Sequence, residues 1–264
     1  MLKKLIKYDL KWSLKIISVY YIIGFILAVV GRLFNLFPDT TFFVVIGGIV
    51  KGASISLTIT GIINCIIRSW VRMMQNMYKD ESYLTHTIPT ARNNHYLSKV
   101  ISTLIALTIS FAVLVINLLI MYLSKNTIEV VRSLFSMLEN FSEGSGVIIL
   151  ILVFVLLFVE FLFIILCGFF GIIYGHSFDS GKLAKSFMFG FITYGVVNTV
   201  SLVVMIISAL FSQDIFDVMF NQAQTINMNT FIILLIISLS LYVIYSVVLF
   251  VLSSKKLSKG INIE

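Results

Sequence analysis

Long apolar runs, separated at intervals by short clusters of lysine and arginine, dominate the chain. A hydrocarbon core about 30 Å thick needs roughly 20 apolar helical residues to cross it. Six runs reach that length, near residues 16–36, 42–67, 97–123, 147–175, 186–211 and 230–252. The fourth exceeds what a bilayer requires and is expected to tilt or project. The pattern therefore predicts an all-α fold: a polytopic membrane protein with six transmembrane helices, forming one membrane domain over residues 1–264.

Shorter amphipathic patterns flank the runs. Residues 1–15 set Leu2, Leu5, Ile6, Leu10 and Leu14 on one helical face, with Lys3, Lys4, Lys7, Lys11 and Lys15 over the remainder. That is the pattern of an amphipathic N-terminal interfacial helix, its leucines in the headgroup boundary and its lysines toward anionic lipid. On the other side of the membrane, Thr127 to Phe141 and the 212–229 loop, with Ile215, Phe216, Met219 and Phe220, are expected to lie on the outer surface.

Composition supports the membrane reading and removes alternatives. Of 264 residues 59% are apolar and only 12% charged, too little polar surface to solvate a globule of this size. The mean hydropathy is +1.05. Only two prolines, Pro38 and Pro89, occur, and both fall outside the runs, which suits unbroken helices. The first run is too long for a signal-peptide core and no small-residue cleavage site follows it, so it is expected to remain as a span. Cys65 and Cys167 lie inside apolar runs with no metal or redox spacing, and read as reduced packing residues.

Charge sets the orientation. Fifteen of the 19 lysines and arginines fall in residues 1–15, 68–99, 176–185 and 253–264, while the alternate loops hold only Arg32, Lys125 and Arg132. Basic residues stay on the cytoplasmic side, so both termini are expected there. The formal net charge of +7 then reports topology, and no nucleic-acid partner is needed to explain it.

Polar residues within the runs mark interior faces. Lys51 and Glu160 are the only charges deep in the spans, each costing roughly 2.5 to 3.5 kcal/mol at the bilayer centre. At about 1.5 Å per residue they lie about 13 Å and about 20 Å below the outer end, and are expected to pair or to face a shared polar cavity. The second run carries small or polar residues every fourth position, Gly48, Gly52, Ser56, Thr60 and Asn64, beside a second row at Gly47, Lys51, Ser54, Thr58 and Gly61. Such rows suit a helix in the interior or at a subunit seam. The fifth run has a weaker version that includes Gly190, Tyr194 and Asn198. A translocation path or seam is accordingly expected along Gly48, Lys51, Gly52, Ser56, Thr60, Asn64, Glu160, Tyr194 and Asn198.

Enzymatic chemistry lacks its parts. Gly175 to Lys182 reads GHSFDSGK, which has the wrong spacing for a phosphate loop and ends without the hydroxyl residue. His86, His95 and His176 show no metal-ligand spacing, and no nucleophile motif occurs. The chain is expected to be no enzyme and to carry no cofactor.

The longest cytoplasmic connection, 68–96, holds more apolar and aromatic residues than a tether needs. Asp80 or Ser82 is placed to cap a short helix, and Thr90 to cap the third span. The text KDESYLTHTIPTARNNHYLSK, Lys79 to Lys99, is similar to the loop DEGYLTHTLPVS followed by LLSK in the small six-span permeases of type-two ATP-binding-cassette exporters of Gram-positive bacteria. LIKYDLK, Leu5 to Lys11, resembles their amphipathic leading helix. The resemblance implies a cell-membrane subunit that works as a dimer with a second copy or paralogue, bound to separate ATPase subunits that hold ATP and Mg²⁺. It places the ATPase-docking residues at Asp80, Glu81, Tyr83, Leu84 and His86, with Asp179 and Lys182 as a second contact, and suggests a hydrophobic or peptide cargo. Two other classes stay open: a proton-coupled secondary transporter using Lys51 and Glu160, and a non-transporting membrane scaffold or sensor.

Overall fold

The computed structural model describes residues 1–34, 36–37, 40–79, 81–122, 146–220 and 228–259, and every regular element among them is a helix. They are α1 (Leu2–Phe34), α2 (Thr41–Met77), α3 (Ser82–Thr87), α4 (Arg92–Tyr122), α5 (Gly146–Gly175), α6 (Lys182–Phe211), α7 (Gln213–Phe220) and α8 (Met228–Ser258). Six of these, all but α3 and α7, are long and apolar enough to cross a membrane, as the hydrophobic runs require. The outer segment 127–141 and Asp80 lie outside the described residues, as does the side chain of His86.

The described helices gather into two compact units of three spans each, α1 to α4 and α5 to α8. In the first, α1 packs against both α2 and α4, and α2 against α4. In the second, α5 packs against α6 and α8.

The N-terminal helix is present, and it runs into the first span without a break. No Gly or Pro stands between Lys7 and Ile17 to interrupt it. The face it buries differs from the leucine stripe. Asp9, Ser13, Ile17, Tyr21, Gly24, Ala28 and Gly31 are the buried residues of α1, a single row at three- and four-residue intervals. Leu10 and Leu14 are partly buried against the cluster of Ile17, Tyr21, Cys65 and Ala106, so part of the supposed lipid face packs on protein.

Helix α2 also outruns its apolar segment. Residues 68–77, expected as connection, continue it by about 15 Å beyond the sixty-seventh residue. The Tyr78 amide then donates to the Met74 carbonyl at 3.0 Å and the chain turns into α3. Helix α3 stops at Thr87 because Ile88 precedes Pro89 and is held extended, at ψ 127°. Glu81, rather than Asp80 or Ser82, stands at its N-cap, and its side chain bonds elsewhere. Thr90 does not cap α4, which begins at Arg92; its hydroxyl lies 2.6 Å from Nε2 of the buried His95.

In the second unit α5 and α6 approach backbone to backbone. A Cβ on Gly171 would come within 2.6 Å of the Gly190 nitrogen, and one on Gly175 would strike the backbone and hydroxyl of Ser186. Only glycine fits there, so Gly171-x-x-x-Gly175 is a true contact motif. Gly181, the last glycine of GHSFDSGK, has φ +63° as the residue before α6, a conformation that favours glycine. That glycine shapes the turn into α6. Cys65 and Cys167 are buried and unbridged, as packing residues should be.

Candidate functional site

At the end of the first unit that carries the N-terminal lysines and the 68–96 segment, α1, α2 and α4 meet on one carboxylate, and the N-cap of α3 is tied to it through Arg72. Asp9 of α1 is 3% exposed and Lys99 of α4 is 2% exposed. Asp9 Oδ1 accepts from Lys99 Nζ at 2.6 Å and from Arg72 Nε of α2 at 3.0 Å, while Oδ2 accepts from Ser98 Oγ at 2.7 Å. Arg72 continues the chain outward: its Nη1 donates to Glu81 Oε2 at 2.6 Å, and Asn76 Nδ2 donates to the same oxygen at 3.1 Å. Two acids and two bases thus form a neutral network. Both carboxylate oxygens of Asp9 are engaged, Oδ1 twice, which is the condition under which a buried ion pair is tolerated.

Trp12 secures the rim. The Arg68 guanidinium lies 4.1 Å from its ring centroid and that of Arg72 lies 5.2 Å away, and Arg68 Nη2 donates to the Trp12 carbonyl at 3.3 Å. Below the turn, Tyr78 is fully enclosed, and burial pushes its phenol well above the ordinary value, so it stays neutral.

Glu81 therefore has two neighbourhoods. Behind it lies the buried network; ahead of it α3 carries Tyr83 and Leu84, 65% and 74% exposed. Ser82 and Thr85 turn inward, and the Thr85 hydroxyl donates to the Glu81 carbonyl at 2.9 Å. A six-residue helix is too short to be stable alone. The Arg72 and Asn76 bonds to Glu81, together with the buried Ser82 and Thr85, anchor it at the end of α2.

The small-residue rows of α2 separate in space. Gly47, Ser54, Thr58 and Gly61 are buried, with Lys51 half-buried, against α1 and α4. Ser54 Oγ donates to the Gly24 carbonyl at 2.6 Å, Asn117 Nδ2 to Thr58 Oγ1 at 2.9 Å, and a Cβ on Gly61 would strike the Tyr21 ring. Lys51 lays its stem on Gly31 and its ammonium 5.7 Å from the Tyr122 ring centroid. The other row points outward: Gly48, Gly52 and Ser56 are exposed, and added Cβ atoms on the two glycines would meet nothing within 4 Å. Its polar groups need no second helix, because Thr60 donates to the Ser56 carbonyl and Asn64 to that of Thr60.

In the second unit Asp179 is exposed at the α5–α6 turn and Lys182 is half-buried at the start of α6. Glu160 is half-buried on α5, and Tyr194 of α6 stacks 6.2 Å from Phe163, one turn along from it. Asn198 donates to the Tyr194 carbonyl at 2.8 Å, again within its own helix. Sequence reasoning missed Asp9, Ser98, Lys99 and Arg72 as partners. One signal was available: Asp9 is the sole acid before Asp39, set among five lysines. The chain matches no protein-family model, no curated protein and no solved structure.

Proposed function

We propose that the chain is the membrane-spanning subunit of an ATP-binding-cassette exporter, moving a hydrophobic or peptide cargo while separate ATPase subunits hydrolyse MgATP. The observation that carries this reading is the connection between an exposed pair and a buried one. Tyr83 and Leu84 project from a helix whose first anchor, Glu81, is bonded through Arg72 to Asp9 and Lys99. A soluble subunit gripping α3 would press on α2, α1 and α4 together, since the Arg72–Glu81 bond leads directly into the buried Asp9–Lys99 pair. The similarity of Lys79 to Lys99 to the exporter loop supports the same reading. The outward row Gly48, Gly52 and Ser56 offers a surface where a second copy or a paralogue can approach closely.

Purification of the tagged chain from its native membrane tests the proposal. A stoichiometric ATPase should accompany the native chain and be lost with Tyr83→Ala plus Leu84→Ala, and recovery of no ATPase with the native chain would refute it. One observation favours a second reading, a proton-coupled secondary transporter: among the described residues Glu160 forms no ion pair. Vesicles holding this chain alone and moving cargo on a proton gradient would decide for it. A scaffold or sensor role predicts neither ATPase nor transport.

A further inference from the structure

Two guanidiniums share the ring of Trp12, and only one of them is neutralised. Arg72 lies 5.2 Å from the ring centroid and is paired with both Asp9 and Glu81. Arg68 lies closer, at 4.1 Å, and among the described residues it forms no ion pair. Its hydrogen bond to protein runs from Nη2 to the Trp12 carbonyl at 3.3 Å, while its Nε is buried and takes none. Neither helix offers it an acid. Helix α2 contains no Asp or Glu, and Asp9, the only one in α1, accepts from Arg72, Ser98 and Lys99. A charge-balanced network thus carries an unbalanced cation at its edge.

The surroundings of Arg68 are those of a membrane surface. It is the first charged residue after the apolar run of α2 that ends at Ile67, which sets it at the level of the lipid headgroups. Tryptophan favours the same level. Lys15 and Ile16 follow Trp12 by three and four residues, so they share its side of α1, and both are exposed. Ile63 and Ile67 of α2 are exposed as well, and Trp12 and Arg68 are each half-buried.

We propose that Arg68, Trp12 and Lys15 form a binding site for the phosphate of an anionic phospholipid. A phosphate diester supplies the anionic oxygens that Arg68 lacks, and a guanidinium is the side chain best matched to them. Stacking on Trp12 fixes the plane of the guanidinium in advance, which lowers the entropy lost on binding. Lys15 adds a second positive charge and so selects a headgroup of net negative charge over a zwitterionic one. The occupant is a lipid because the site stands where headgroups lie and continues into the exposed Ile16, Ile63 and Ile67, against which acyl chains can run. The inference concerns the first unit alone and stands apart from the exporter reading.

The test uses the full chain with Trp70→Phe, which leaves Trp12 as its sole tryptophan, in bilayers that mix phosphatidylcholine with phosphatidylglycerol. Bromine on the acyl chains of one lipid or the other quenches Trp12 on contact, and the dependence on mole fraction gives the relative affinity of the two lipids at that residue. Phosphatidylglycerol should be favoured about fivefold, the effect of one well-placed cation. Arg68→Gln should bring the ratio below about twofold. Lys255→Gln, which removes an exposed cation of the second unit, should leave the ratio unchanged, and excess inorganic phosphate should not lower it. The first ratio is measured with the site intact, so it decides the matter even where Arg68→Gln does not fold. Equal quenching by the two lipids, an unchanged ratio in a folded Arg68→Gln chain, an equal loss with Lys255→Gln, or displacement by inorganic phosphate each overturns the site.

Discussion

Lys99 Nζ lies 2.6 Å from Asp9 Oδ1, joining residues 90 positions apart, with both side chains less than 5% exposed. This contact ties the first and third spans where the α3 turn joins the bundle. Arg72 makes it a three-helix junction. Removing one charge strands the others in a poorly hydrated place, and such losses cost about 3 to 5 kcal/mol. Asp9→Asn should therefore lower the thermal stability of the detergent-solubilised chain substantially. Asp9→Asn combined with Lys99→Met should recover part of it, because the stranded ammonium is gone. A double variant no more stable than the single one would show that Lys99 is not the partner that matters.

Glu81→Gln separates docking from coupling. It leaves Tyr83 and Leu84 exposed but replaces the 2.6 Å ion pair with Arg72 by a weaker bond from the guanidinium to a neutral amide oxygen. Glu81 is 43% exposed, so the stability cost should stay within about 1 kcal/mol. The ATPase should still be recovered with this variant, while cargo-dependent stimulation of its activity falls. Unchanged stimulation in an assay of the purified complex would remove Glu81 from the coupling path.

Glycines on the two faces should respond oppositely. Gly175→Ala forces a methyl group into Ser186, and overpacking of this kind costs about 1 to 3 kcal/mol. Gly52→Ala meets open space and should be neutral, or more stable by up to about 1 kcal/mol through helix propensity. Thermal unfolding of the two variants in the same detergent checks the contrast. If the outward row is a subunit seam, Gly52→Leu should also reduce cross-linking between two copies without altering unfolding of the single chain.

Orientation is open to direct labelling, since Cys65 and Cys167 are buried and should react slowly with a membrane-impermeant maleimide. Cysteines introduced at Lys79 and Ser177 should be labelled only after the cell membrane is opened. One introduced at Thr41 should be labelled in intact cells. The reverse pattern would invert the topology drawn from the basic loops.

The sequence by itself determined the solvent and the scaffold. Apolar runs of bilayer length can bury their backbone polar groups only as helices, so six spans follow from local composition. The exposed Tyr83 and Leu84 were also legible, because Pro89 and the preceding turn residues confine α3 to a short stub. Tertiary structure decided which polar residues meet. Periodicity around Asp9 favours the leucine face, yet the helix rolls so that the acid points inward, because two cations on helices distant in sequence wait there. The two rows of α2 look alike as text, and packing alone sent Ser54 and Thr58 inward and Gly48 and Gly52 outward. The physical reason is range: helix formation is dictated by neighbours within four residues, whereas the partner of a buried charge is chosen by whichever helix packs against it.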